Sequence, residues 1–283
     1  MAGMKFVPGI SMALALCVAA EEETTAGDAP AGYQLVFSQE FSEDGPPDEE
    51  VWHFEEGFTR NEEDQWYQKE NAFCEGGHLV IEARREKVVN PHYREDSRSW
   101  RRSRPFAEYT SASLHSKPEY AWTYGWFEIR AKIVTEEGLW PAIWTTGHGR
   151  WPHAGEIDLM EYYNHGLLAN VAWAGPGGRA KWDTGYLPMA EIGGEDWDQE
   201  FHTWVMEWTP EKIVLSVDGR VLNTTLLKDT VNEVGERKSP FHEPQRLRLN
   251  LALGGDRGGD PDKASYPSRY LIDYVRVYQK KDD

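Results

Sequence analysis

Trp126-Phe-Glu-Ile-Arg-Ala-Lys-Ile133 alternates along its length, setting Phe127, Ile129, Ala131 and Ile133 opposite Glu128, Arg130 and Lys132. A period of two is that of a β-strand with one buried face, so the stretch reads as strand rather than helix. Similar short runs recur at Tyr33–Phe41, Leu79–Arg84, Thr110–Ser116, Gly125–Val134, Leu139–Thr145, Glu156–Tyr162, Leu168–Ala174, His202–Trp208, Lys212–Val217, Val221–Leu226, Arg246–Leu253 and Tyr270–Tyr278. Turn residues separate them, and Asp218-Gly219 between two runs signals a type I′ hairpin. With no long amphipathic helix in the pattern, the chain reads as all-β, an antiparallel sandwich or jelly roll.

The 283 residues suffice for one large β domain, and neither an internal repeat nor a boundary interrupts residues 33–283. Residues 1–20 carry Lys5 and an apolar stretch ending at Ala19-Ala20, which predicts a secretory signal; residues 21–32 read as a flexible acidic linker. The expected location is therefore extracellular or periplasmic. Cys17 offers a second reading as a lipid-anchor cysteine, against which Leu16 stands where a small residue is expected. Once a signal is removed, Cys74 is the only thiol, so no internal disulfide is available. No later segment has the run of apolar residues that a membrane-spanning helix needs.

Forty-eight acids against thirty bases leave a net charge of −18, which disfavours nucleic acid and anionic membranes and favours a neutral partner. Thirteen Trp and thirteen Tyr supply rings that stack on sugars but also fill sandwich cores. Against that background Glu156-Ile-Asp-Leu-Met-Glu161 places three carboxylates within six residues of an apolar strand. Regular alternation puts Glu156, Asp158 and Met160 on one face and Glu161 on the other. A β-bulge near Leu159-Met160 would turn Glu161 onto the face of the other two. Two carboxyl groups about 5–5.5 Å apart are what glycosidic cleavage with retention requires. The competing reading is an acidic strand facing solvent, with Ile157, Leu159 and Met160 as core.

Several segments in order resemble glycoside hydrolase family 16, specifically bacterial endo-β-1,3(4)-glucanases of the laminarinase and lichenase type. They are the bulged Glu156-x-Asp-x-x-Glu161 motif, Gly138-Leu-Trp-Pro-Ala-Ile-Trp144, and Arg60-Asn61 followed by Glu63 and Gln65-Trp66-Tyr67. Tyr109-Thr-Ser-Ala-Ser-Leu, Tyr124-Gly-Trp-Phe-Glu-Ile-Arg-Ala-Lys and Ile272-Asp-Tyr-Val-Arg-Val-Tyr278 complete the set, so the resemblance covers most of the chain after Tyr33. It implies a concave jelly roll of two antiparallel sheets with a polysaccharide cleft, a monomer needing no cofactor for catalysis. Glu156 is then the nucleophile, Asp158 the residue that hydrogen-bonds and orients it, and Glu161 the acid/base. Trp140 and Trp144 are implied as stacking platforms and Arg60 and Asn61 as hydroxyl-binding groups. Trp122, Trp126, Trp151, Trp173 and Trp182 are further aromatic candidates. A structural calcium is implied at Glu40, the Gly77 carbonyl and Asp273, whose oxygens suit that ion.

Two features bear on the substrate. Ala172 stands where many β-1,3-glucanases of this family carry a histidine, and residues 86–108 form a long loop with Arg94, Arg98, Arg101, Arg102 and Arg104. A second long loop runs from Gly254 to Arg269. The arginines keep a sulfated-galactan hydrolase open as an alternative to a neutral β-glucan. A non-catalytic carbohydrate-binding module is a third reading, which the intact acidic triplet disfavours. His148, His153 and His165 show no zinc-ligand spacing.

Overall fold

The computed structural model describes residues 29–193 and 196–281. The expected signal, Cys17 and most of the expected linker lie outside the described residues. Two eight-stranded antiparallel sheets face each other. In one the strand order is Arg220–Leu226, Lys212–Val217, His202–Trp208, Gly125–Lys132, Ser268–Lys280, His78–Ala83 and Ala72–Glu75, with Tyr33–Gln39 also on Ser268–Lys280. In the other it is Ala180–Pro188, Gly166–Ala174, Glu156–Tyr163, Leu139–Gly147, Gln245–Leu253, Ser113–Ser116 and Trp52–Phe54, with Ala121–Trp122 also on Gln245–Leu253. The fold is the expected all-β jelly roll.

The core lies between the sheets and follows the alternation. Phe127, Ile129, Ala131 and Ile133 are fully buried together with Trp204, Met206 and Trp208 of the neighbouring strand. Asp218 and Gly219 both adopt positive φ in a tight two-residue turn between Lys212–Val217 and Arg220–Leu226, as the type I′ signal requires. The expected Thr110–Ser116 strand is split. Tyr109–Ser111 pairs in parallel with Gln65–Tyr67, after which Ser113–Ser116 joins the second sheet. Ala180–Pro188 was not anticipated because it is an edge strand, largely exposed and carrying no apolar alternation.

Gly166–Ala174 is buried at every position, its odd-numbered side chains in the core and Asn170 beneath a cleft. That cleft occupies about 1060 Å³ over the second sheet. Because its floor is sheet rather than loop, the side chains on it are held by ladders on both sides.

Candidate active site

Glu156–Tyr163 is the central strand of this floor, and its register shows the bulge. Asp158 pairs with Trp144 and Asn170, whereas Glu161 pairs with Ala142 and Leu168, so the intervening residues outnumber their partners by one on each side. Leu159 and Met160 consequently both enter the core in succession. The inserted residue reverses parity, and Glu161 joins Glu156 and Asp158 on the cleft face. Asp158 is 3% exposed and the other two are half-buried. That geometry rules out a solvated acidic face.

Three carboxyls in a partly dry floor cannot all be charged. Burial and the charge of Glu161 push Glu156 up to about 8, although the guanidinium groups of Arg60 and Arg248 and a hydrogen bond from Trp151 oppose the rise. Burial also raises Glu161, to about 6, against hydrogen bonds from Trp140, Asp158 and Asn170. Asp158 is raised well above the ordinary range by burial and by both neighbours, so it keeps its proton. Its hydrogen-bond partners are Glu161 and Asn170, whose Nδ2 is 3.2 Å from Asp158 Oδ2. The expected hydrogen bond from Asp158 to Glu156 is thus replaced by one to Glu161, so Asp158 reaches Glu156 only by way of that neighbour.

Glu161 is fixed at both oxygens. Trp140 Nε1 donates to Oε1 at 2.8 Å and Asn170 Nδ2 to Oε2 at 2.9 Å. Trp140 is 7% exposed and packs edge-on against Tyr163, so its visible role is to hold the carboxyl rather than to offer an open face. Trp144 lines the cleft with its Nε1 tied to Asn250 Oδ1 at 2.7 Å. The guanidinium groups of Arg60 and Arg248 lie 5.2 and 4.9 Å from its ring centroid. Both arginines converge on Glu55, with Arg248 at 3.1 Å. Burial works against a charge on Glu55, but the two guanidinium groups outweigh it and hold its carboxyl down to about 2. Asn61 lines the cleft beside Arg60, its Nδ2 3.3 Å from Glu63 Oε1.

The open aromatic faces lie elsewhere. Trp151 and Trp182 are 48% and 45% exposed with ring centroids 6.3 Å apart, and both line the cleft. Trp122 and Trp173 are core residues, and Trp126 sits on the opposite sheet. Ala172 pairs with Glu156 on one side and Trp182 on the other, so it lies beneath the site. His148 lines the cleft and, together with His153, an adjoining depression.

Sequence reasoning passed over Glu55, Asn170, Arg248, Asn250 and Arg257, all of which line the cleft. Some carried a signal. Arg246, Arg248 and Asn250 alternate with buried Leu247, Leu249 and Leu251, which marks a polar face on a core strand, and Asn170 is a lone polar residue in an apolar run. Glu55 and Arg257 come from connecting segments whose path the local pattern does not disclose.

The strand register gathers the residues expected to hold calcium. Gln39 opposite Val275 brings Glu40 toward Asp273, and Ile272 opposite Leu79 brings Asp273 toward Gly77. Asp273 accepts from Arg130 at Oδ2, and its Oδ1 lies 3.9 Å from His78 Nε2, beyond hydrogen-bonding range. Glu40 differs from expectation: both carboxylate oxygens are held by Arg276, at 2.9 and 2.8 Å. Among the described residues no cluster of three His, Cys, Asp or Glu side chains is placed to hold a metal.

Residues 59–276 match the family described as glycosyl hydrolases family 16. The chain is 36% identical over 275 residues to the β-glucanase of Rhodothermus marinus, covering 89% of this chain and 87% of that protein. The laminarinase catalytic domain of Thermotoga maritima superposes with a TM-score of 0.74 at 33% identity, covering 88% and 99% of the two chains. A structure from work on endo-acting O-glycanases, which prominent human gut microbes express to initiate mucin breakdown, superposes with a TM-score of 0.81 at 33% identity over 89% and 93%.

Proposed function

The chain belongs to glycoside hydrolase family 16 and is an endo-β-glucanase, and from that premise we propose that it cleaves β-1,3 or mixed β-1,3/1,4 glucan with retention. The observation that carries this reading is the bulge that aims Glu156, Asp158 and Glu161 into one cleft. The pair shares one proton between its two limbs, and in the reactive arrangement it sits on Glu161: ionised Glu156 attacks the anomeric carbon as Glu161 passes that proton to the leaving oxygen, after which Glu161 takes a proton from the water that displaces the sugar from Glu156. Asp158, neutral and bonded to Glu161, lets two titrating acids work without a third charge. Arg60 and Arg248 already share Glu55, which favours a neutral substrate, while Arg246 and Arg257 on the same cleft are the reason to include sulfated ones in the assay. Assaying purified glucans and sulfated galactans, with the anomer of the first product read by NMR, tests substrate and stereochemistry together. An inverted first product refutes the covalent route.

The rate should follow a bell in pH, with limbs near the values of about 6 and about 8 that belong to the Glu161–Glu156 pair as a unit. Below the lower limb both acids carry protons and the nucleophile is lost; above the upper limb both are ionised and no proton reaches the leaving group. A kcat/KM profile flat across both limbs would contradict the pairing.

One observation favours a second substrate, the 0.81 TM-score to the O-glycanase structure. Adding mucin O-glycans to the panel tests it, and the absence of released oligosaccharide removes it. We propose a structural calcium at Asp273, the Gly77 carbonyl and Glu40, which the strand register gathers and which would tie the first and last strands of the domain together. Calcium is expected to raise the melting temperature above that in EDTA, and Asp273→Asn to abolish the rise. For residues 1–20 the reading is a secretion signal, tested by N-terminal sequencing of protein from the culture medium.

A further inference from the structure

The arginines of residues 86–108 do not act alike. Arg94, Arg98 and Arg102 are exposed on the outside of the loop. Arg104 instead points at the segment that carries Arg60 and Asn61. Its Nη1 donates to the Glu63 carbonyl at 3.0 Å and to Asp64 Oδ1 at 3.0 Å, and its Nη2 to the Glu62 carbonyl at 3.1 Å. Arg101 donates Nε to the Thr59 carbonyl at 3.0 Å. The carbonyls on either side of Arg60-Asn61 are therefore capped by two guanidinium groups from the same loop.

That segment needs holding. Asn61 and Glu62 both have positive φ, 53° and 54°, a left-handed pair that residues other than glycine rarely form in succession. The second long loop closes on it from the other side. Asp256 N donates to the Asn61 carbonyl at 2.9 Å, and a Cβ on Gly255, which has φ +65°, would stand 2.5 Å from that oxygen. The arginine-rich loop is itself pinned. Buried Asn90 donates to the carbonyls of Arg101 and Arg104, each at 2.8 Å, and Phe58 and Trp66 pack with Trp100 and Ala107.

We propose that the arginine-rich loop is a brace, in which Arg101 and Arg104 position Arg60 and Asn61 for the sugar without touching it. This rests on the reading of Arg60 and Asn61 as sugar-binding groups. A planar fork suits the task, because one guanidinium spans three acceptors in fixed directions whereas an ammonium is a single point of charge.

The test is steady-state kinetics on the glucan the enzyme degrades. Arg104→Ala should raise KM about tenfold, well beyond any change in kcat, as expected for a lost set of charge-assisted hydrogen bonds that act through binding. Asn90→Ala should move KM the same way, and Arg104→Lys should fall between Arg104→Ala and the unaltered protein. Arg94→Ala and Arg98→Ala should leave KM unchanged. A drop in melting temperature for Arg104→Ala with KM unaltered would overturn the brace, as would an equal rise in KM for Arg94→Ala or Arg98→Ala. Arg60→Ala and Asn61→Ala separate the two layers. If they raise KM and Arg104→Ala does not, the brace alone fails; if they do not, the sugar-binding reading fails with it.

Discussion

Glu156→Gln is expected to lose glucan hydrolysis by roughly four orders of magnitude or more, because the amide keeps the shape of the side chain but cannot form the glycosyl bond. Binding of a glucan oligosaccharide, read by calorimetry, should persist, since the cleft walls are untouched. The melting temperature should rise. Glu156 sits half-buried where burial and the charge of Glu161 hold its carboxyl far above the ordinary range, and a neutral amide relieves both. Loss of activity together with a raised melting temperature separates a chemical role from misfolding. Retained hydrolysis would end the assignment of Glu156.

Glu161→Gln is expected to cost about 10²–10⁴-fold on polysaccharide, the range that a positioned general acid supplies. The loss should shrink sharply for an aryl glycoside whose leaving group departs without a proton, and accumulation of the glycosyl-enzyme should then appear as a burst. Trp140 Nε1 and Asn170 Nδ2 would face the new amide, so one oxygen keeps a donor and the other position meets an amide NH₂. The variant should consequently fold with a modest penalty of about 1–3 kcal/mol for the unsatisfied donor. Equal losses on both substrates would show that Glu161 is not the proton donor.

Both predictions depend on a bulge of one residue. Three acids could be seen along the chain, but regular alternation sends Glu161 to the opposite face from Glu156. In the structure Leu159 and Met160 enter the core side by side, and the strands on both sides record the shift. The large strands were legible for a related reason: each has one face in a dry core, so apolar residues recur every second position, as in Gly125–Lys132. Ala180–Pro188 escaped because an exposed edge imposes no such pattern, although it delivers Trp182 to the cleft.

What the chain determined by itself was the class of fold, the acids of the floor and the order of the motifs, since these follow from periodicity and from residue type. What only the tertiary structure decided was which groups face one another. Trp140 and Trp144 read as equivalent platforms until one bonded Glu161 and the other settled among Arg60, Arg248 and Asn250. Of the arginines that looked like an anionic subsite, Arg101 and Arg104 turned out to hold the Thr59–Asp64 segment through its carbonyls. Local pattern records whether a residue faces core or water. It does not record the partner, because a hydrogen bond or ion pair joins residues far apart in sequence whose meeting depends on how sheets and loops close in space.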